Sequence, residues 1–156
     1  MNRAERISWL LTVLASAIIL CGVFLAPLAS SHGLLFSRFI YLLYSPLCHQ
    51  QPDRSYFLSG QQLAVCSRCL GIYAGFLFGT LIYPFWSKTF RLRITSRPGL
   101  MILMVIPMIL DVFFSWLKLW NSPLFLKTIT GFTWSAVLPL FWFKALDELF
   151  AKLPKN

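Results

Sequence analysis

The sequence predicts an all-α membrane protein: four transmembrane helices, plus a short interfacial or re-entrant helix in the first outer connection. Three observations lead there. Of 156 residues, 58% are hydrophobic and only 12% charged, about half the charged share that a solvated globular surface carries. Four runs of apolar sequence approach or exceed the roughly 20 residues needed to cross a hydrocarbon core. The charges lie between those runs, where membrane-flanking residues belong, so the formal net charge of +9 is a topology signal and not a nucleic-acid footprint.

The first span is read over residues 7–29, because no charge falls between Arg6 and Arg38. Arg3 and Arg6 ahead of an apolar run also describe a secretory leader. The run is longer than the ~7–15 residues of a leader core and Pro27 interrupts the cleavage-like site, which favours a span. The outer connection follows over residues 30–68. Its GLLFSRFIYLLYSPLC stretch is too short and too interrupted by Arg38 and Pro46 to cross, and Phe36, Phe39, Ile40 and Leu43 form an apolar helical stripe. The second span is placed at 69–87, with Gly71, Gly75 and Gly79 on one helical face. Small residues so spaced let another helix approach, and a second copy of the chain is the partner this face offers. The third span, 98–117, contains the single acid Asp111. The fourth, 124–143, begins near Lys127, whose stem can snorkel its ammonium to the interface. Trp86, Trp116, Trp120 and Trp142 read as interfacial anchors. No linker, repeat or low-complexity tract divides residues 1–156, which read as one polytopic domain.

Lys and Arg resist translocation, so their distribution sets the orientation. With a cytoplasmic amino terminus, nine of the 14 basic residues lie inside: Arg3, Arg6, Lys88, Arg91, Arg93, Arg97, Lys144, Lys152 and Lys155. Both termini are therefore expected in the cytoplasm of a cell whose inner or plasma membrane holds the chain, with connection 30–68 on the outer face.

Three of the four cysteines fall at that face: Cys48, followed by His49, and the Cys66-Ser-Arg-Cys69 pair. The fourth, Cys21, reads as a small hydrophobe packed within the first span. The pair opens a helix, where the helix dipole lowers a thiol pKa, and Arg68 is expected to lower it further.

The run CHQQPDRSYFLSGQQLAVCSRCLGIYAG, Cys48 to Gly75, resembles the signature of domain-of-unknown-function family 2085, small prokaryotic membrane proteins. Pro107, Asp111, Asn121, Thr130 and Gly131 are similar to the family's second block, with Val112 where the family tends to glycine and Lys127 in place of an arginine. The resemblance implies membrane topology and the positions of a site, and no activity.

Cys48, His49, Cys66 and Cys69 offer three thiolates and an imidazole, a donor set that suits tetrahedral zinc or another soft or borderline transition metal. Four protein ligands would close the site, pointing to a structural or sensing role; the adjacency of Cys48 and His49 demands a sharp bend, which Pro46 and Pro52 favour. A membrane thiol–disulfide oxidoreductase, with Cys66 and Cys69 as the redox pair and Cys48 as a third thiol, is the alternative. A disulfide from Cys48 to either member of the pair would pin the loop by about 3 kcal/mol in the chain-entropy model.

Asp111 is costly in hydrocarbon and needs a partner, for which Arg54, Arg68, Lys127 and Thr130 are candidates. It either serves a small ion or solute carrier or holds the spans together. In QPDRS, Pro52, Asp53 and Ser55 have turn chemistry, leaving Arg54 for Asp111 or an anionic lipid headgroup. A phosphate-gripping loop, nucleophile elbow, paired carboxylates and a DNA-reading helix are all missing from the sequence, so nucleotide-driven and hydrolytic classes drop out and no nucleic-acid partner is expected. The lipid bilayer is the partner that composition requires.

Overall fold

A computed structural model describes residues 3–119 and 122–152. Trp120, Asn121 and Lys155 lie outside the described residues. The elements are α1 (Arg3–Ser31), α2 (Phe36–Tyr44), the two-residue strands β1 (Phe57–Leu58) and β2 (Gln61–Gln62), α3 (Ser67–Ile82), α4 (Lys88–Thr95), α5 (Pro98–Trp116), α6 (Leu124–Ser135) and α7 (Leu138–Lys152). Among the described residues four stretches have the length and hydropathy of membrane spans: Glu5–Ser31, Ser67–Phe85, Gly99–Trp116 and Leu124–Leu149. Inside hydrocarbon a helix satisfies its own backbone. The hydroxyls follow suit: Thr12, Ser16 and Thr80 each donate to the carbonyl four residues earlier, at 2.7–2.8 Å.

The fourth span departs from one continuous helix. It breaks after Ser135 and resumes at Leu138, because Pro139 has no N–H to give the preceding turn and its ring excludes the carbonyl four residues back. The basic segment after the second span also forms a helix, α4, whose first turn is capped by the Ser87 hydroxyl accepting from Phe90 N–H at 3.3 Å.

Helix α3 packs chiefly against α6. A Cβ at Gly71 would fall on the Thr128 carbonyl, one at Gly75 on the Ser135 hydroxyl and Phe132 carbonyl, and one at Gly79 on the Ala136 carbonyl. The glycine face expected to receive a second copy is thus occupied within the chain. Its sequence signature reports close backbone approach and leaves open whose backbone arrives. Cys21, expected to be packed, is exposed on α1.

Connection 30–68 is built as a cap. On α2 the packed face is Ser37, Ile40 and Tyr44, while Phe36, Phe39 and Leu43 of the anticipated stripe stay exposed. An antiparallel hairpin pairs Phe57 with Gln62 and Leu58 with Gln61. Its Ser59-Gly60 turn has both φ values positive, 52° and 74°, the geometry that matches strand twist. Val23 and Ala26 of α1, Ile40 and Tyr44 of α2, and Leu63, Ala64 and Val65 form one buried core with Cys48. A second core, Tyr83, Val137, Leu140 and Phe143, closes the opposite end of α3 against α7, its Tyr83 and Phe143 ring centroids 4.2 Å apart.

Candidate functional site

The cap brings Cys48 to the start of α3. Beyond α2 the chain is turned by Cys48 N–H donating to the Tyr44 carbonyl at 3.0 Å. It then reverses at Gln50, which adopts φ 47°, a left-handed value that costs a non-glycine residue free energy unless surrounding bonds hold it. They do. The Gln50 amide donates to the Tyr41 carbonyl at 2.8 Å and the Ala64 carbonyl at 2.9 Å, and the Gln62 amide donates to the Gln50 carbonyl at 2.6 Å. Gln62 also reaches the Ser55 hydroxyl at 3.1 Å, and the Tyr41 hydroxyl donates to the Gln62 carbonyl. These amides clamp the Cys48 turn onto the strand leading to Cys66. Sequence reasoning missed both glutamines; the third residue of Cys-His-Gln was the available signal.

The result is a cluster in which the sulfurs of Cys48, Cys66 and Cys69 all lie within 4.8 Å of one another. Cys48 is buried and the pair is half-buried. The Cys66 N–H donates to the Cys48 sulfur at 3.2 Å. Tetrahedral zinc with bonds of ~2.3 Å separates its sulfurs by about 3.8 Å, so a small inward closure suffices to embrace an ion. All four cysteines are free.

His49 is not part of that cluster. Among the described residues the metal-capable group is the three cysteines alone, and His49 is exposed on the rim of the adjoining cleft. The bend anticipated from Pro46 and Pro52 has its left-handed residue at Gln50, directly after His49. Of the four residues expected to converge, the three cysteines meet and His49 lines the adjoining cleft.

The Cys66 thiol is held down to about 5. The hydrogen bond from the Cys69 side chain is the largest cause; burial opposes it, and bonds from the Cys69 backbone, the Cys48 side chain and the Arg68 backbone add to the lowering. The anticipated help from the Arg68 guanidinium does not figure among these causes, because that group is spent elsewhere. Its Nε donates to Asp111 Oδ2 at 2.9 Å, its Nη2 bonds the same oxygen, and Nη2 also reaches the Ser115 hydroxyl at 3.3 Å. Asp111 thus takes Arg68 from the list of four possible partners.

Lys127, expected to snorkel outward, is instead 2% exposed and borders the cleft with Arg54 and Arg68. Its ammonium feels the charges of Arg68, Asp111, Arg54 and Cys66. Arg54 is exposed at the cleft mouth. Thr130 bonds the Lys127 carbonyl at 3.1 Å and lines a different groove, with Asp111 and Pro107. Ser67, which the sequence did not single out, is fully buried in the cleft wall and its hydroxyl has no hydrogen-bond partner among the described residues.

Comparison with known proteins agrees with this arrangement in extent. The chain is 37% identical over 130 residues to the uncharacterised protein MJ1492 of Methanocaldococcus jannaschii, covering 80% of this chain and 83% of that protein. It is 37% identical over 68 residues to an uncharacterised protein of Methanothermobacter thermautotrophicus, covering 43% of this chain and 58% of that one. No solved structure matches. A family model described as predicted membrane protein (DUF2085) matches residues 48–141, a stretch that starts at the first cluster cysteine and runs through the helices carrying Asp111 and Lys127. The chain is a member of the DUF2085 family of membrane proteins.

Proposed function

We propose that Cys48, Cys66 and Cys69 bind a soft or borderline transition metal, zinc foremost, at the outer face of the cell's inner or plasma membrane, and that the site senses the ion or uses it to brace the cap. The observation that carries this reading is the convergence of three sulfurs from two segments, held by a network of half-buried amides that fixes the intervening turn. Three thiolates leave one coordination position on the cleft side, where His49 or a solvent ligand completes the tetrahedron. That open side favours sensing, since an ion can enter and leave without dismantling the core. Both termini are cytoplasmic in this reading, supported by the distribution of the basic residues. Engagement of Asp111 by Arg68 supports a bracing role for the acid over carriage of an ion or solute.

A redox reading has one observation in its favour, the closeness of the Cys66 and Cys69 sulfurs, which lie within 4.8 Å of each other with both thiols free. Metal analysis of the purified full chain, with thiols counted before and after reduction, separates the two. Stoichiometric zinc that disappears in Cys66→Ser and in Cys48→Ser supports the metal site. Metal-free protein that cycles reversibly between a Cys66–Cys69 disulfide and two thiols overturns it.

A further inference from the structure

The end of α3 farthest from the sulfurs leads through Tyr83–Phe85 into α4, the eight-residue helix that joins the second apolar stretch to the third. The one stretch ends at Phe85 and the other begins at Gly99, so α4 has no length in which to leave the headgroup layer. Residues 85–97 carry Lys88, Arg91, Arg93 and Arg97 and no acid. One face of α4 is committed to the protein. Thr95 is buried and Ile94 packs on the core of Tyr83, Val137, Leu140 and Phe143. The Arg91 guanidinium lies 4.6 Å from the Tyr83 ring centroid and lines a cleft with Glu5 and Asp147. Lys144 ties the end of the helix to α7, donating to the Thr95 carbonyl at 3.3 Å. These contacts decide what α4 shows outward. Arg93 and Arg97, four residues apart, and Lys88 at the helix start are exposed, and among the described residues none of the three forms an ion pair. Lys88 also stands on the rim of the Arg91 cleft. Beside them Phe85 is 86% exposed and Leu92 68%, apolar area that is costly to leave in water. Unpaired cations interleaved with exposed apolar side chains, on a short helix tethered to a span at each end, fit the boundary where headgroups meet acyl chains.

We infer that the outward face of α4 binds anionic phospholipid headgroups through Lys88, Arg93 and Arg97, with Phe85 and Leu92 set among the acyl chains. Charge complementarity selects the lipid: the three cations lack a carboxylate partner, and a zwitterionic headgroup brings no net charge to balance them, whereas an anionic one does. The surface is separate from the cysteine cluster and stands whether or not the sulfurs hold a metal.

The test reconstitutes the full chain in phosphatidylcholine vesicles carrying a trace of spin-labelled phosphatidylglycerol or spin-labelled phosphatidylcholine. Electron spin resonance then gives the fraction of each probe held at the protein. The wild type should hold the anionic probe about fivefold more strongly than the zwitterionic one, the preference that one basic residue near an anionic surface confers. Raising the salt from about 0.05 to about 0.5 M should remove most of that preference. Lys88→Gln, Arg93→Gln and Arg97→Gln together should bring the two probes close to parity, and Arg93→Lys with Arg97→Lys should keep them apart. Arg38→Gln with Arg54→Gln, exposed positions on connection 30–68, should change nothing. Equal retention of the two probes by the wild type, a preference insensitive to salt, a triple variant as selective as the wild type, or an equal loss in the Arg38 and Arg54 variant overturns the proposal. The salt response and the lysine variant remove no charge from the chain, so they decide the matter even where the triple variant fails to reconstitute.

Discussion

Cys66 sits where a helix start, two neighbouring sulfurs and two backbone amides meet, and its acidity belongs to that meeting more than to any one partner. A thiol whose folded-state pKa is about 5 against an ordinary 9.0 is largely thiolate across neutral pH, and the thiolate is the nucleophile. Iodoacetamide should therefore label Cys66 at a nearly constant rate from about pH 6 to 9, where an unperturbed thiol accelerates about tenfold per unit. Cys69→Ala, which removes the largest cause, should restore much of that slope. Between pH 5 and 9 the native state holds fewer protons at this position than the unfolded chain. The contribution of Cys66 to stability is therefore full above pH 9, shrinks as pH falls toward 5 and is gone below it. Gln50 and Gln62 make a related point about residues: both are ordinary polar positions in the sequence, and they become structural only because the fold brings the Tyr41 and Ala64 carbonyls to the one and the Gln50 carbonyl and Ser55 hydroxyl to the other.

Helix pairing follows the smallest side chains. Gly71, Gly75 and Gly79 let α3 approach α6 until carbonyls of Thr128, Phe132 and Ala136 occupy the space a Cβ would need. Because the obstacles are largely backbone, they cannot swing aside. Gly75→Val should cost about 1–3 kcal/mol, as overpacking does, and should loosen the Lys127 side of the cleft along with it; denaturant unfolding in detergent with thiol accessibility as the second readout would check both. The spacing of these glycines was legible in the sequence as a close-packing face. Its partner was not, since a contact between helices far apart in the chain depends on the fold and leaves no local trace. The break of the fourth span before Pro139 shows the reverse, a local rule present in the sequence but hidden beneath continuous hydropathy.

Across the whole molecule, the ion pair from Arg68 to Asp111 ties α3 to α5, a helix whose other surface carries exposed Ile102, Leu103, Ile109 and Phe113. Asp111→Ala leaves a buried guanidinium without its partner and should cost about 3–5 kcal/mol, whereas Arg68→Met combined with Asp111→Leu should recover most of that loss. Reversible unfolding of the four corners of this cycle measures it, and a double variant no better than the single one would show that the pair does more than brace α5. The sequence by itself determined the membrane class, the four apolar stretches, the short helix between the first two of them and the residues on which chemistry centres, because hydropathy, charge placement and cysteine spacing are properties of the chain read locally. Only the tertiary structure decided that three sulfurs meet while His49 stays on the rim, that Arg68 rather than Arg54 or Lys127 takes Asp111, and that Lys127 turns inward. Those outcomes depend on side-chain direction at a single reversed backbone angle and on which helices touch, and neither is encoded by spacing along the chain.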